Sequence, residues 1–134
     1  MAPAVKNIVI IGGTGQVGGS ILSALLDAKH FSITCITRPD SKSKLPDGVK
    51  VAKGEYDDKK FLEDTLKGQD ALIVALGLSA PPKVQEDLIE VAAKVELPWI
   101  MTNYWSSDGH NEELVKAMPT LQEKNKFHLS LIHI

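Results

Sequence analysis

The chain has 134 residues, of which 43% are apolar and 24% charged, and its formal net charge is −2. This length is enough for one compact domain with a hydrophobic core, whereas two independent domains would each be marginal. Because neither sign of charge is in excess and no apolar run approaches the ~20 residues that span a bilayer, we expect no nucleic-acid or membrane partner and a cytoplasmic location.

Five short apolar runs are spaced along the chain and are rich in Ile, Val and Leu, with few polar residues between them. Such runs are typical of parallel strands that are covered on both faces. The pattern predicts strands at residues 8–11, 33–37, 49–52, 71–76 and 99–102. Cys35, the single cysteine, lies inside the second run, and we expect it to be a buried thiol with no ligand role.

Helical patterns stand between these runs. Apolar residues recur at helical spacing after the first run, at Val17, Ile21, Leu22, Leu25 and Leu26, and again before the fifth, at Val84, Leu88, Ile89, Ala92 and Val95. Asp58 is placed to cap a further helix through Leu66, and Gly68 follows where that helix would end. Residues 38–48 have room for about one helical turn at most. This alternation predicts an α/β fold with a doubly wound parallel sheet.

A glycine-rich string connects the first predicted strand to the first predicted helix. It runs Gly12, Gly13, Thr14, Gly15, Gln16, Val17, Gly18 and Gly19. It fits G-x-G-x-x-G from Gly13 or G-x-x-G-x-x-G from Gly12, and both frames predict a Rossmann-type loop that binds a dinucleotide. We expect the amides of residues 14–17 to converge on the diphosphate at the start of the helix, and we assign residues 12–18 to cofactor binding. The alternative is a structural glycine turn in a flavodoxin-like sheet with another ligand.

Arg38 ends the second predicted strand, at the position where NAD enzymes usually carry an acidic residue for the ribose hydroxyls. A guanidinium there can bind the 2′-phosphate of NADP through paired, charge-assisted hydrogen bonds. Lys42 and Lys44 add positive charge to the same loop. The residues therefore favour NADP over NAD, with Arg38 and Lys42 as ligands. Two alternatives stay open: these cations are solvated loop residues, or Asp40 binds the ribose.

Further segments carry distinctive residues: Thr37-Arg38-Pro39, Gly54-Glu55-Tyr56-Asp57-Asp58, and residues 67–73 and 97–105. Together with the glycine string, these segments resemble NmrA-like proteins and isoflavone-reductase-like enzymes, which are atypical short-chain dehydrogenases. The last segment is most similar to fungal members, with Thr102 in place of a proline and Tyr104 in place of a glutamate. The resemblance implies an NADP(H)-binding domain of an oxidoreductase that transfers hydride to a small organic substrate. We also assign Leu76, Gly77 and Asn103 to cofactor binding.

Two positions depart from the family's pattern. Glu55 stands where many relatives carry an aspartate near the adenine, so we do not assign that contact. Reductases of the family use a lysine in a helix after the fifth strand, and Lys124 is the best positional match. As a catalytic residue, Lys124 would stabilise or protonate a developing oxyanion. The alternative is a lysine on a helix surface.

The end of the chain changes character. Residues 1–128 fit the amino-terminal part of a longer family domain, so we expect the fold to be incomplete at the C-terminus of the chain. Residues 129–134 switch to an alternating apolar pattern that we interpret as a foreign tail. Family members are about twice as long, so we expect the substrate pocket to lie in the absent half and this fragment to be inactive. Two further interpretations stay open: an NAD(P)-sensing regulator with a protein partner, and a non-functional fragment.

Overall fold

The computed structural model describes residues 4–105 and 111–119. Packing divides the chain into one compact unit of residues 1–103, which holds the sheet, and a second unit of residues 104–134. In the second unit, helix α4 (Glu112–Ala117) is capped by Asn111, whose side chain accepts a hydrogen bond from the Leu114 amide. Within the described ranges, no helix has both the length and the apolar character needed to cross a bilayer. The domain predicted at 1–128 and the tail at 129–134 reach beyond these residues and stay predictions.

Five parallel strands form one sheet in the order β3-β2-β1-β4-β5. They are β1 (Asn7–Ile11), β2 (Ser32–Thr37), β3 (Val49–Lys53), β4 (Ala71–Val74) and β5 (Trp99–Met101). The chain starts in the middle of the sheet, builds outwards to β3, and then returns across β1 to build β4 and β5 on the other side. This reversal is the doubly wound arrangement that the sequence predicted, and it places a crevice at the carboxyl ends of β1 and β4.

Helices connect the strands on both faces of the sheet. They are α1 (Gln16–Ala28), α2 (Lys59–Leu66) and α3 (Pro82–Lys94). Asp58 caps α2 by accepting a hydrogen bond from the Phe61 amide, as predicted. Gly68 follows α2 with a φ of +77°, which also agrees with its predicted position at the end of that helix. No helix forms in residues 38–48, so β2 and β3 are joined by a short irregular link.

Two hydrophobic cores lie on opposite faces of the sheet. The first packs Ile8, Ile10, Ile33, Cys35 and Ile73 with Leu22 of α1. The second packs the alternate residues of the same strands with apolar residues of α2 and α3, among them Leu62, Leu66, Leu88 and Val91. Since the central strands bury both sets of side chains, the expected two-sided burial is confirmed for β1 and β4.

The expected two-sided burial is wrong for the outer strands. Val51 of β3 is half exposed, because the link before β3 provides no helix to cover it. Trp99 and Met101 of β5 pair with Ala71 and Ile73, which puts them on the α1 face, and both are also half exposed. Lys50 and Lys53 of β3 are exposed as well.

Two further predictions need correction: the end of the fourth strand and the burial of Val17. Strand β4 ends at Val74 and not at residue 76, because Ala75 and Leu76 leave the sheet to enter the loop before α3. Val17 was predicted on the buried face of the first helix, yet it is 43% exposed at the open first turn of α1.

Candidate functional site

The glycine loop turns sharply at Gly12, which has a φ of +83°. A β-carbon at Gly12 would lie 2.1 Å from the carbonyl oxygen of Ala75, and one at Gly18 would lie 2.0 Å from the carbonyl oxygen of Gly12. Side chains are therefore excluded at both positions by the backbone itself. At Gly15 the nearest atom would be 3.4 Å away, which is a milder restriction. A β-carbon at Gly13 would also be crowded, at 2.9 Å from the Cys35 sulfur, so the first glycine of each of the two frames is required by packing.

The first turn of α1 is open. Gly15 occupies the N-cap position and has no side chain that could cap the helix. The amides of Gln16 and Val17 have no acceptor within the helix, because the first N–H groups of a helix precede its hydrogen-bonding pattern. The Gly15 amide is already used, since it donates to the Gly12 carbonyl at 3.1 Å. Of the amides at residues 14–17, those of Thr14, Gln16 and Val17 are thus the ones left to bind an anion beside the positive end of the helix dipole.

A cavity of about 360 Å³ opens beside this turn, at the carboxyl edge of the sheet. Five segments meet there: the loop after β1, the end of β2, the turn after β3, the loop between β4 and α3, and the first turn of α3. Its lining residues are Gly12, Thr14, Gly15, Arg38, Tyr56, Ala75, Leu76, Gly77, Ser79, Ala80, Pro81 and Val84. The structure therefore brings together six of the residues that the sequence assigned to cofactor binding.

A second cavity of about 100 Å³ lies between the glycine loop and the loop after β2. Thr37, Arg38, Ser41 and Ser43 line it together with residues 12–14, Cys35, Ile36 and Tyr56. Thr37 is only 6% exposed, and its hydroxyl oxygen has no hydrogen-bond partner. Because a buried hydroxyl without a partner is costly, it marks a position where a polar ligand atom would be favourable.

Arg38 stands at the boundary of both cavities. Its side chain is 64% exposed, and its Nε atom lies 4.0 Å from a carboxylate oxygen of Asp40, which is itself well exposed. An ion pair at this distance between exposed groups is weak, so the guanidinium can reorient towards a bound anion. Asp40 lines neither cavity.

Tyr56 forms the wall that the two cavities share. It is half-buried against the core on the α2 and α3 face. Burial raises the pKa of the Tyr56 phenol above its usual value, and the nearby positive charge of Arg38 opposes that rise. The ring is therefore neutral at pH 7 and presents an apolar surface next to a cation.

Cys35 lies directly beneath the glycine loop. Its sulfur would be 2.9 Å from a β-carbon at Gly13, and the residue is fully buried, as the sequence predicted. Burial raises the pKa of the thiol, and a hydrogen bond from the Gly13 backbone only partly opposes that effect. The sulfur is thus a protonated packing atom that supports the loop.

The remaining predicted site residues lie elsewhere. Gln16 and Val17 are exposed on the first turn of α1, Gly18 is buried below the loop, and Lys42 is exposed between the two cavity-lining serines. Asn103 lines neither described cavity, and its side-chain amide donates to the Leu76 carbonyl at 3.0 Å. Lys124 lies outside the described residues. Their assigned roles stay predictions.

Sequence reasoning missed several residues that border the cavities. Tyr56, Thr37, Ser41 and Ser43 were given no role, although each follows or ends a predicted strand at the edge where ligands bind in such folds. That position was the signal that could have found them. The described part of the chain holds no group of three or more His, Cys, Asp or Glu side chains placed to bind a metal ion.

A family model described as the NmrA-like family matches residues 4–126. The chain belongs to the NmrA-like family. The family resemblance inferred from the glycine string and the later segments is thereby confirmed. Among curated proteins, the chain is 28% identical over 121 residues to "Oxidoreductase aprR" of Aspergillus flavus. The matched region covers 90% of this chain and 40% of that protein.

Solved structures share the fold of this NmrA-like chain. AtPrR2 with NADP+ and (+)pinoresinol superimposes with a TM-score of 0.80 at 19% identity, covering 98% of this chain and 47% of that one. The binary complex of leucoanthocyanidin reductase and NADPH from Vitis vinifera gives a TM-score of 0.75 at 19% identity, covering 92% and 44%. The chain thus spans less than half the length of each of these three proteins.

Proposed function

We propose that the described sheet unit binds NADP(H), as the cofactor-binding part of a reductase that passes hydride to a small organic substrate. The observation that carries the proposal is the geometry at the junction of β1 and α1. Gly12 and Gly18 pack closely against backbone atoms there, and the first turn of α1, which has no side-chain cap, lies beside the larger cavity. Membership of a family with an oxidoreductase relative, and a fold shared with NADP(H)-bound reductases, support it.

The diphosphate would be held by backbone and not by side chains. The amides of Thr14, Gln16 and Val17 lie at the turn, and the dipole of the 13-residue helix α1 adds positive potential at the same point. Because the loop is shaped by steric exclusion at Gly12 and Gly18, the donors are in place before a ligand arrives. Little ordering of the loop is then needed on binding.

Selection of the 2′-phosphate would occur at the smaller cavity. Arg38 provides the positive charge, and the hydroxyls of Thr37, Ser41 and Ser43 border the same space. The unpartnered Thr37 hydroxyl is a donor that a phosphate oxygen would satisfy. NAD would leave this hydroxyl without a partner and the guanidinium without an anion, so NADP is the favoured cofactor. Asp40, the alternative ribose ligand, lines neither cavity.

The chemical step is a proposal, because the chain covers 40% of its oxidoreductase relative and 47% of the pinoresinol-bound structure. NADPH supplies a hydride when it is bound. We propose that Lys124, which lies outside the described residues, stabilises or protonates the oxyanion that develops on the substrate. The small-molecule substrate, the inactivity of the 134-residue chain by itself and a cytoplasmic location likewise remain proposals; the last is testable by imaging a fluorescent fusion.

Calorimetric titration of the intact chain with NADPH and NADH tests the cofactor proposal. We expect NADPH to bind more tightly, and Arg38→Ala to remove most of that preference, which corresponds to about 1–3 kcal/mol for a lost charge-assisted contact. Lys60→Ala is a matched control, since Lys60 is an exposed cation on α2 whose partner is Asp64. It should leave both affinities unchanged.

Two results would count against the proposal in different ways. Equal affinities for the two cofactors in the unmutated protein would reject the role of Arg38. If a sample with a cooperative unfolding transition binds neither cofactor, the assignment of the whole site fails.

A further inference from the structure

A buried amide side chain connects three elements next to the larger cavity. Gln85 lies in the first half of α3 and is only 9% exposed. Its Oε1 atom accepts a hydrogen bond of 2.9 Å from the Asn103 backbone amide, just beyond the end of β5. The side-chain amide of Asn103 in turn donates to the Leu76 carbonyl at 3.0 Å. We call this chain of contacts the Gln85 bridge.

Apolar residues would be expected at the position of Gln85. The other buried residues of α3 are Leu88, Val91 and Ala92, which belong to the core, and Asp87, which pairs with Lys59 and Lys83. A buried polar side chain in such a setting must regain its hydrogen bonds or it destabilises the fold. Gln85 has no ion-pair partner of this kind, and its hydrogen bond within the described residues reaches the Asn103 backbone at the carboxyl edge of the sheet.

The loop that receives the bridge is residues 75–81, between β4 and α3. Its start is fixed, because the Ala75 amide donates to the Ile11 carbonyl at 2.9 Å and the Ala75 carbonyl packs against Gly12. A turn closes further along, where the Ala80 amide donates to the Gly77 carbonyl at 3.1 Å. Leu76 lies between these two points, and the bridge holds its carbonyl from the side of β5.

We propose that Gln85 is a positioning residue that fixes the 75–81 loop as a wall of the cofactor cavity, acting through Asn103. Leu76, Gly77, Ser79, Ala80 and Pro81 all line that cavity, so a shift of the loop changes its shape without changing any charge. The effect on cofactor affinity rests on the proposed function. The effect on the loop itself does not.

The test compares two substitutions at Gln85 in the full chain. Gln85→Leu removes the acceptor with little change in volume, whereas Gln85→Glu keeps an acceptor oxygen. Amide hydrogen exchange measured by NMR reports on the bridge at the Asn103 amide and on the loop at the Ala80 amide, which donates to the Gly77 carbonyl. We expect Gln85→Leu to accelerate exchange at both amides about tenfold or more, and Gln85→Glu to restore most of the protection.

Cofactor affinity supplies the second measurement. We expect Gln85→Leu to weaken NADPH binding by about two- to tenfold, as for one lost hydrogen bond, with most of the loss recovered in Gln85→Glu. Glu86→Leu, at the exposed neighbouring position of the same helix, is the matched control and should change neither measurement. If Gln85→Leu does not fold, Asn103→Ala breaks only the contact to Leu76 and tests the same loop.

The outcomes separate this proposal from the cofactor assignment. Unchanged exchange at the Ala80 amide in a folded Gln85→Leu or Asn103→Ala protein would overturn the positioning role, even if NADPH binds. Faster exchange in a protein that does not bind NADPH would support the bridge and reject the proposed function. A loss of stability with unchanged affinity and unchanged loop exchange would make Gln85 a core residue only.

Discussion

Gly18 packs against the backbone of Gly12 so closely that a β-carbon on Gly18 would come within 2.0 Å of the Gly12 carbonyl oxygen. The neighbouring Gly19 has room, since its β-carbon would lie 3.7 Å from the Gly13 carbonyl oxygen. We expect Gly18→Ala to lower the free energy of unfolding by about 1–3 kcal/mol or more, as overpacking does. Gly19→Ala should raise it by about 0.5–1 kcal/mol, because alanine is the better helix former. Urea unfolding followed by circular dichroism checks both values, and equal effects would contradict the packing.

Replacing Thr37 with valine should separate stability from binding. The Thr37 hydroxyl is buried without a partner, so Thr37→Val should leave the stability of the unliganded protein unchanged or raise it, by up to about 1–3 kcal/mol. In the proposed site only the 2′-phosphate reaches this hydroxyl, so NADPH affinity should fall while NADH affinity is unchanged. Thr65→Val, whose hydroxyl donates to the Phe61 carbonyl on α2, serves as the control for affinity. An undiminished NADPH affinity in Thr37→Val would remove the hydroxyl from the site.

Cys35 should be unreactive in the folded protein. It is fully buried below Gly13, and burial raises its pKa, so little of the nucleophilic thiolate forms near neutral pH. We expect a disulfide reagent such as Ellman's reagent to modify the thiol at the rate of unfolding and at full rate in urea. The chain has no other cysteine, so the signal reports on this position alone. Rapid modification under native conditions would show that the loop opens far more often than its packing implies.

Asp70 should make the sheet sensitive to acid. Its carboxylate accepts hydrogen bonds from the backbone amides of Asn7, at 2.7 Å, and Lys6, at 2.9 Å. These bonds lower its pKa below the ordinary value, with the Asn7 amide contributing most. Since the folded pKa is the lower one, the stabilisation is complete above the unfolded pKa of about 3.9 and is lost as the pH falls through the folded value.

Urea midpoints between pH 7 and pH 2 measure this loss of stability. We expect Asp70→Asn to be less stable than the unmutated protein at pH 7 and to show a smaller decrease on acidification. Asp57→Asn, an exposed carboxylate in the turn before α2, is a comparison variant expected to retain the acid response. Parallel pH profiles for Asp70→Asn and the unmutated protein would mean that Asp70 does not carry the effect.

Much of the fold could be predicted from the sequence because its signals are local. The strand Asn7–Ile11 contains a continuous apolar run at residues 8–11, and Asp58 and Gly68 bracket α2 through their own side-chain and backbone chemistry. The order of the strands follows from the short connections and the handedness of parallel crossovers. Local signals of this kind survive in almost any tertiary setting.

Other features depend on distant backbone and were missed for that reason. Ala75 is as apolar as the strand before it, but it leaves the sheet to meet Gly12, which lies 63 positions away along the chain. Helical periodicity identifies apolar faces, so a polar residue such as Gln85 is assigned to the surface although the end of β5 gives it a buried partner. Likewise, the unpartnered state of Thr37 emerges only when the loops around it are in place.

Strand β3 lies at the outer side of the described sheet, no helix forms in the link before it, and its exposed residues include Lys50 and Lys53. Docking a second copy of the strand along this margin would bring ammonium groups together and strip water from them. The outer margin of the third strand therefore disfavours the addition of a second copy of the same strand, and this reduces the tendency of the sheet to extend into ribbons.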